Sequence, residues 1–244
     1  MRCRVIGVMS FKGGVGKTVS AINLATGLSL KGKKVLVIDG NFLSPTLHFY
    51  LGLLRPKTTL KEVIRNNLAP ENAIYEHKSG IHLLPCNFYK GIDLNKLKKI
   101  VDELKEKYDY IIVDSGPSYT DEIIAILMIS DELIFITTAD YPTLASTVKA
   151  AKFAKYKNVK ILGIVVNRKR NKKYELSKKD IEATVKLPVI CTILEDHKMM
   201  SSVLEFVPVV WKYRRSKSAK AYLELADKVC KSDNSWSLIG SSLR

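Results

Sequence analysis

The densest chemistry in the chain lies in seven consecutive residues, Lys12-Gly13-Gly14-Val15-Gly16-Lys17-Thr18. The glycines let the backbone turn tightly enough for successive N–H groups to converge on one point. An apolar run, Val5-Ile6-Gly7-Val8-Met9, precedes the turn, and a helix-like segment begins near Thr18. A strand, a glycine-rich turn and a helix N-terminus form an anion site. The first helical N–H groups have no partner within the helix, and the helix dipole adds partial positive charge. In that setting Lys17 reaches terminal phosphates, the Thr18 hydroxyl can ligate Mg²⁺, and Val19 completes the contact set. The opening glycine of the common G-x-x-x-x-G-K-[ST] pattern is replaced by Phe11, and Lys12 adds a second cation.

Three polar positions close predicted strands, where open parallel sheets bind ligands. The second predicted strand, Val35-Leu36-Val37-Ile38, ends at Asp39-Gly40-Asn41. The fourth, Tyr110-Ile111-Ile112-Val113, ends at Asp114-Ser115-Gly116-Pro117, and the sixth, Ile161 to Val166, ends at Asn167-Arg168. Each alone fits a strand-terminating turn equally well. All three beside a phosphate loop point to function. Asp114 reads as a carboxylate of the metal shell, acting through water because Mg²⁺ keeps several of its waters.

Lys12 through Thr18 resembles the deviant phosphate loop of the MinD/ParA family of ATPases, and archaeal MinD-like members most. The resemblance implies ATP or ADP with Mg²⁺ as cofactors, an ATP-dependent homodimer and an activating partner protein. It also implies that Lys12 reaches phosphates held by the neighbouring subunit, much as an arginine finger does. Tyr108 to Asp114 resembles the family's switch II strand, with Ser115-Gly116-Pro117-Ser118 as its mobile turn. Asp39-Gly40-Asn41 resembles switch I, with Asp39 and position 41 placing the attacking water. The family usually carries a second aspartate where this chain has Asn41. An amide accepts a hydrogen bond from water but carries no charge, so slow hydrolysis is the expectation. Asn167 matches the position that hydrogen-bonds adenine, with Arg168 beside the base. Leu194-Glu195-Asp196 matches a base-flanking segment that usually begins with proline. The likeness runs from Val5 to about Leu225.

Strand-like and helix-like segments alternate along the chain. Helical patterns fall at about Lys17–Lys31, Leu60–Leu68, Leu94–Lys107, Ile123–Ile129, Leu144–Tyr156, Lys178–Val185, Met199–Phe206 and Lys217–Lys231. The alternation predicts an α/β fold, a doubly wound and mostly parallel sheet with helices on both faces. The 244 residues fit a single ATPase domain over residues 1–232, followed by a flexible tail over 233–244. No apolar run reaches the ~18 residues of a membrane span, and Met1-Arg2-Cys3-Arg4 leads into a strand rather than a signal segment. A cytoplasmic protein, peripheral at times to membrane or nucleoid, is the expectation. Cys3, Cys86, Cys191 and Cys230 are scattered with no C-x-x-C pair, and the four histidines show no metal spacing, so a zinc or iron–sulfur centre is disfavoured.

Net charge is +16, which fits either a polyanion partner or a lysine-rich proteome. Two basic clusters, Arg168 to Lys173 and Lys212 to Lys220, read equally as solvated faces or as a surface for non-specific DNA. Trp236, Ile239 and Leu243 could line an amphipathic membrane helix, but Gly240 interrupts it and Arg244 is its only cation. Three functions stay open: a MinD-like positional switch, a ParA-type DNA-partition ATPase, and an ATP-holding module without turnover.

Overall fold

The computed structural model describes residues 3–117 and 121–231. In chain order the elements are β1 (Arg4–Met9), α1 (Lys17–Ser29), β2 (Val35–Gly40), α2 (Leu47–Tyr50) and α3 (Leu60–Asn66). A 3₁₀ turn (Pro70–Ala73), β3 (Tyr75–Glu76), β4 (His82–Leu84), α4 (Leu94–Lys105), β5 (Tyr110–Ser115) and α5 (Asp121–Ile129) follow. The rest comprises β6 (Glu132–Thr138), α6 (Tyr141–Tyr156), β7 (Lys160–Lys169), α7 (Lys178–Val185), β8 (Val189–Leu194), α8 (His197–Leu204), α9 (Val209–Lys212) and α10 (Lys217–Lys231).

Among the described residues, eight strands form one sheet in the order β3-β4-β2-β5-β1-β6-β7-β8. Every pairing is parallel except β3 with β4 at one edge. Parallel strands need helical crossovers, so both faces become covered and the strands read as unbroken apolar runs. Alternation within each strand then divides the side chains between two cores. Leu36, Ile38, Ile111 and Val113 pack under α3, α4, α5 and α6, whereas Val35, Val37, Tyr110 and Ile112 pack under α1, α9 and α10.

β1 lies between β5 and β6. The chain fills one side of β1 first and crosses to the other only with β6. Strand order therefore reverses at β1, and the crevice beyond its carboxyl end is where a doubly wound sheet takes a ligand. The expected parallel sheet and helical segments are present, with some ends trimmed, extended or shifted by up to three residues. α2, α9 and the short β3 lie outside the segments that the sequence pattern predicts. At four residues or fewer these elements show no period to read. Residues 118–120 and 232–244 lie outside the described residues, and with them Ser118 and the tail positions Trp236, Ile239 and Leu243.

Candidate nucleotide site

The loop after β1 turns as its glycines allow. Gly14 has φ +75° and Gly16, immediately before α1, has φ +94°. A side chain at Gly16 would be strained by that backbone, and its Cβ would sit 2.3 Å from Asn167 Nδ2. That close approach has a use: Asn167 Nδ2 donates to Val15 O at 2.8 Å and ties the loop to the end of β7. Val15 itself is buried. α1 begins directly at Lys17 without a side-chain cap, so the amides of its first turn stay available to an anion.

Lys17 is 7% exposed. Its ammonium donates to Lys12 O at 3.2 Å and so lies back across the loop. Burial pushes its pKa down, and nearby Asp114 partly opposes this. Thr18 Oγ1 donates to Asp114 Oδ2 at 2.6 Å. The other carboxylate oxygen, Asp114 Oδ1, is buried without a hydrogen-bond partner among the described residues. Burial raises the Asp114 pKa to about 7, against the Thr18 hydrogen bond and the Lys17 charge, which lower it.

Asp39 pairs with Asp114 across β2 and β5 and is fully buried. Its Oδ1 accepts from Asn41 N at 3.2 Å and its Oδ2 from Leu47 N at 3.0 Å. The carboxylate thus organises the loop that carries Asn41. Burial foremost, then the Asp114 charge, holds its pKa well above the usual carboxylate range. Asn41 Nδ2 donates to Ser44 O, which turns Oδ1 toward Gly116: a Cβ on that glycine would lie 2.8 Å from Asn41 Oδ1.

A cavity of about 230 Å³ opens over the loop, lined by Gly13, Gly14, Lys17, Thr18, Asn41 and Ser115 among others. A second, of about 420 Å³, has Asn167, Glu195, Asp196, Met199, Met200 and Val203 on its walls. Gly16, Val19, Tyr50 and Arg168 line both. A polar, amide-rich compartment thus adjoins a mostly apolar one of a size for a nucleobase and sugar.

Residues 2–230 match the family model described as ParA, NUBPL iron-transfer P-loop NTPase. The chain belongs to the ParA family of P-loop NTPases. This P-loop NTPase is 31% identical to an uncharacterised ATP-binding protein of Methanocaldococcus jannaschii over 226 residues, covering 91% of this chain and 86% of the relative. Its structure superposes on the cell division ATPase MinD of Pyrococcus furiosus with a TM-score of 0.87 and 30% identity, over 94% of this chain and 99% of that one. The septum site-determining protein MinD of Pyrococcus horikoshii, solved with Mg-ADP, matches with a TM-score of 0.87 and 28% identity, over 95% and 98%.

The residues of this P-loop NTPase suit the Mg²⁺ that its fold implies. Asp114 Oδ1 is a buried acceptor with no donor, and the Thr18 hydroxyl lies on the same carboxylate. Thr18 and Asp114 would hold the ion's shell. Asp114 also makes the metal-free protein sensitive to pH. In the fold it keeps its proton up to about 7, whereas the unfolded chain gives it up near 3.8. The unfolded state therefore binds fewer protons between those values, and stability falls as pH rises through that window, by at most about 4 kcal/mol. Asp114→Asn is expected to raise the metal-free melting temperature at pH 7.5 by roughly 5 °C or more and to flatten its decline from pH 5 to 7. Asp39 keeps part of the slope. Differential scanning fluorimetry without metal checks this, and an unchanged profile would contradict it.

The structure places two expected site residues in unexpected company. Within one chain the Lys12 ammonium donates to Thr143 Oγ1 at 2.9 Å and sits 3.6 Å from Asp140 Oδ1. Asp140 caps α6 through the amide of Thr143, so Lys12 rests at the start of that helix. Asn167 has one amide hydrogen committed to Val15. Sequence reasoning missed Tyr50, for which α2 gave no signal, and Glu122, whose buried carboxylate accepts from Leu43 N at 2.6 Å. A lone glutamate beside an apolar helix start reads only as a capping residue.

The three deepest cysteines lie on separate parts of the fold. Cys3, Cys86 and Cys191 are buried, and burial raises all three thiols, Cys3 to about 12 and Cys191 to about 11. Among the described residues no group of three or more histidine, cysteine, aspartate or glutamate side chains could hold a metal ion, and no helix is long and apolar enough to cross a membrane.

Proposed function

We propose that this protein binds Mg-ATP and hydrolyses it slowly, as a nucleotide-switched dimer of MinD type that positions a division site or a cargo and answers to an activating partner. The observation that carries the reading is the pairing of Thr18 with Asp114 beside an under-partnered Lys17, below a loop whose amides are open. Phosphates enter the 13–18 loop, and Lys17 neutralises their terminal charge. When bound, Mg²⁺ spreads the negative charge of the phosphoryl oxygens. Asn41, set by Asp39, orients the attacking water, and Asn167 and Arg168 flank the base. Lys12 reaches the phosphates of a second copy. ATP favours the closed dimer because a triphosphate held between subunits adds contacts that ADP lacks.

The test is phosphate release from Mg-ATP, together with particle mass by light scattering in ADP and in a non-hydrolysable ATP analogue. Slow release and a dimer in the analogue alone are expected. Tight nucleotide binding without release would instead favour the ATP-holding module. Asn41→Asp restores the family's carboxylate and is expected to raise turnover about fivefold, a modest gain because phosphoryl transfer rests on positioning rather than on a strong base. A fall in turnover would count against this role for Asn41.

A ParA-type reading, in which the ATP-bound dimer holds DNA, draws on one observation. A cleft of about 810 Å³ is lined by Lys198, Trp211, Tyr213, Arg214, Arg215 and Lys217 among others, and it shares Glu195 and Asp196 with the base compartment. In the other basic cluster, Arg170 pairs with Glu195 at 2.7 Å and Lys169 with Glu175 at 3.5 Å. DNA capture that requires ATP and weakens steeply with salt would favour this reading.

A further inference from the structure

The carboxylate missing at position 41 has a neighbour. Glu122, near the start of α5, is 5% exposed. Its Oε1 accepts the amide of Leu43, two residues beyond Asn41. Its Oε2 also approaches Gly116: a Cβ on Gly116 would lie 3.0 Å from Glu122 Oε2 and 2.8 Å from Asn41 Oδ1. A side chain at 116 would press on both of these side-chain oxygens, which converge over the glycine. One buried charge thus touches the loop after β2 and the segment after β5, both of which border the phosphate cavity.

Resting on the reading above, we infer that Glu122 is the positioning residue that compensates for Asn41. Its carboxylate fixes the Asn41 loop through Leu43, so that Asn41 Oδ1 presents a set acceptor to water. In the step it serves, the water oxygen forms a bond to the γ-phosphorus and the bond from that phosphorus to the bridging oxygen breaks. ADP leaves with the electron pair, and the water proton passes to a phosphate oxygen. Glu122 touches none of the reacting atoms; its influence runs through Asn41 and the main chain of the loop.

A double-mutant cycle on the full chain tests this. Glu122→Gln keeps an acceptor for Leu43 N–H but removes the charge. It is expected to leave the affinity for a fluorescent ATP analogue and KM within about twofold, and to lower kcat roughly tenfold. Asn41→Asp then raises kcat in the Glu122→Gln protein by a factor at least about five times its gain in the wild-type background, because each carboxylate substitutes for the other. A merely structural Glu122 would shift melting temperature and KM and would show no such rescue. Should Glu122→Gln fail to fold, Gly116→Ala, which presses a methyl group against both oxygens, is expected to lower kcat with nucleotide affinity retained. An unchanged kcat in Glu122→Gln, or an equal gain from Asn41→Asp in both backgrounds, overturns the inference while leaving the ATPase reading intact. Absence of phosphate release from the wild type overturns both.

Discussion

Lys17→Ala is expected to raise the dissociation constant for a fluorescent ATP analogue at least about 100-fold, a loss of roughly 3 kcal/mol or more for deleting one partner of a buried charge pair. The argument rests on where the ammonium sits. It is nearly buried, and its one loop contact is a long hydrogen bond to Lys12 O. Burial already pushes its pKa down, so the charge is costly without an anion. A phosphate supplies that anion at short range, where charge-assisted hydrogen bonds are strongest. The variant folds without the desolvated cation, and its nucleotide-free melting temperature is expected to match or exceed that of the wild type. Fluorescence titration checks the first outcome and thermal melting the second. An affinity within threefold of wild type would place the phosphates elsewhere.

Lys12→Ala is expected to separate binding from turnover. The side chain is anchored in its own chain by Thr143 and Asp140 at the start of α6, rather than by a phosphate-loop group. At 42% exposure its ammonium forms a solvent-screened ion pair, which contributes little to stability. Nucleotide affinity of the single chain should therefore change by less than about threefold. Turnover should fall by roughly 1,000-fold, the lower range for losing a cation that acts across an interface on the transferring phosphoryl group. The ATP-dependent dimer should be lost with it. Single-turnover phosphate release and light scattering of the same preparation check both. A variant that still dimerises and hydrolyses ATP would leave Lys12 as a local α6 contact only.

Much of this site is legible in the sequence because its parts are local. A glycine turn between an apolar run and a helix fixes the anion site, and carboxylates or amides that close apolar strands mark the ligand end of a parallel sheet. Thr18 and Asp114, far apart in sequence, meet because β1 and β5 are adjacent, with Val8 opposite Asp114. What the sequence hides is long-range and depends on packing. Glu122 becomes informative only when α5 brings it to Leu43 and Gly116. Tyr50 joins the site through a single helical turn with no period. The family resemblance assigns the Lys12 side chain to a second copy's phosphates, yet its partner in one chain comes from residues more than 120 positions away. The second basic cluster reads in sequence equally as a solvated face or a DNA surface; folded, it lines a cleft together with Trp211 and Tyr213.

The most direct test is a crystal structure with Mg²⁺ and a non-hydrolysable ATP analogue. The account predicts a triphosphate on the amides of residues 13–18, Mg²⁺ near Thr18 and Asp114, and a two-fold dimer in which each Lys12 has left Thr143 and Asp140 for the partner's phosphates. A loop without nucleotide, or a tight dimer with Lys12 still on Thr143 and Asp140, would contradict it.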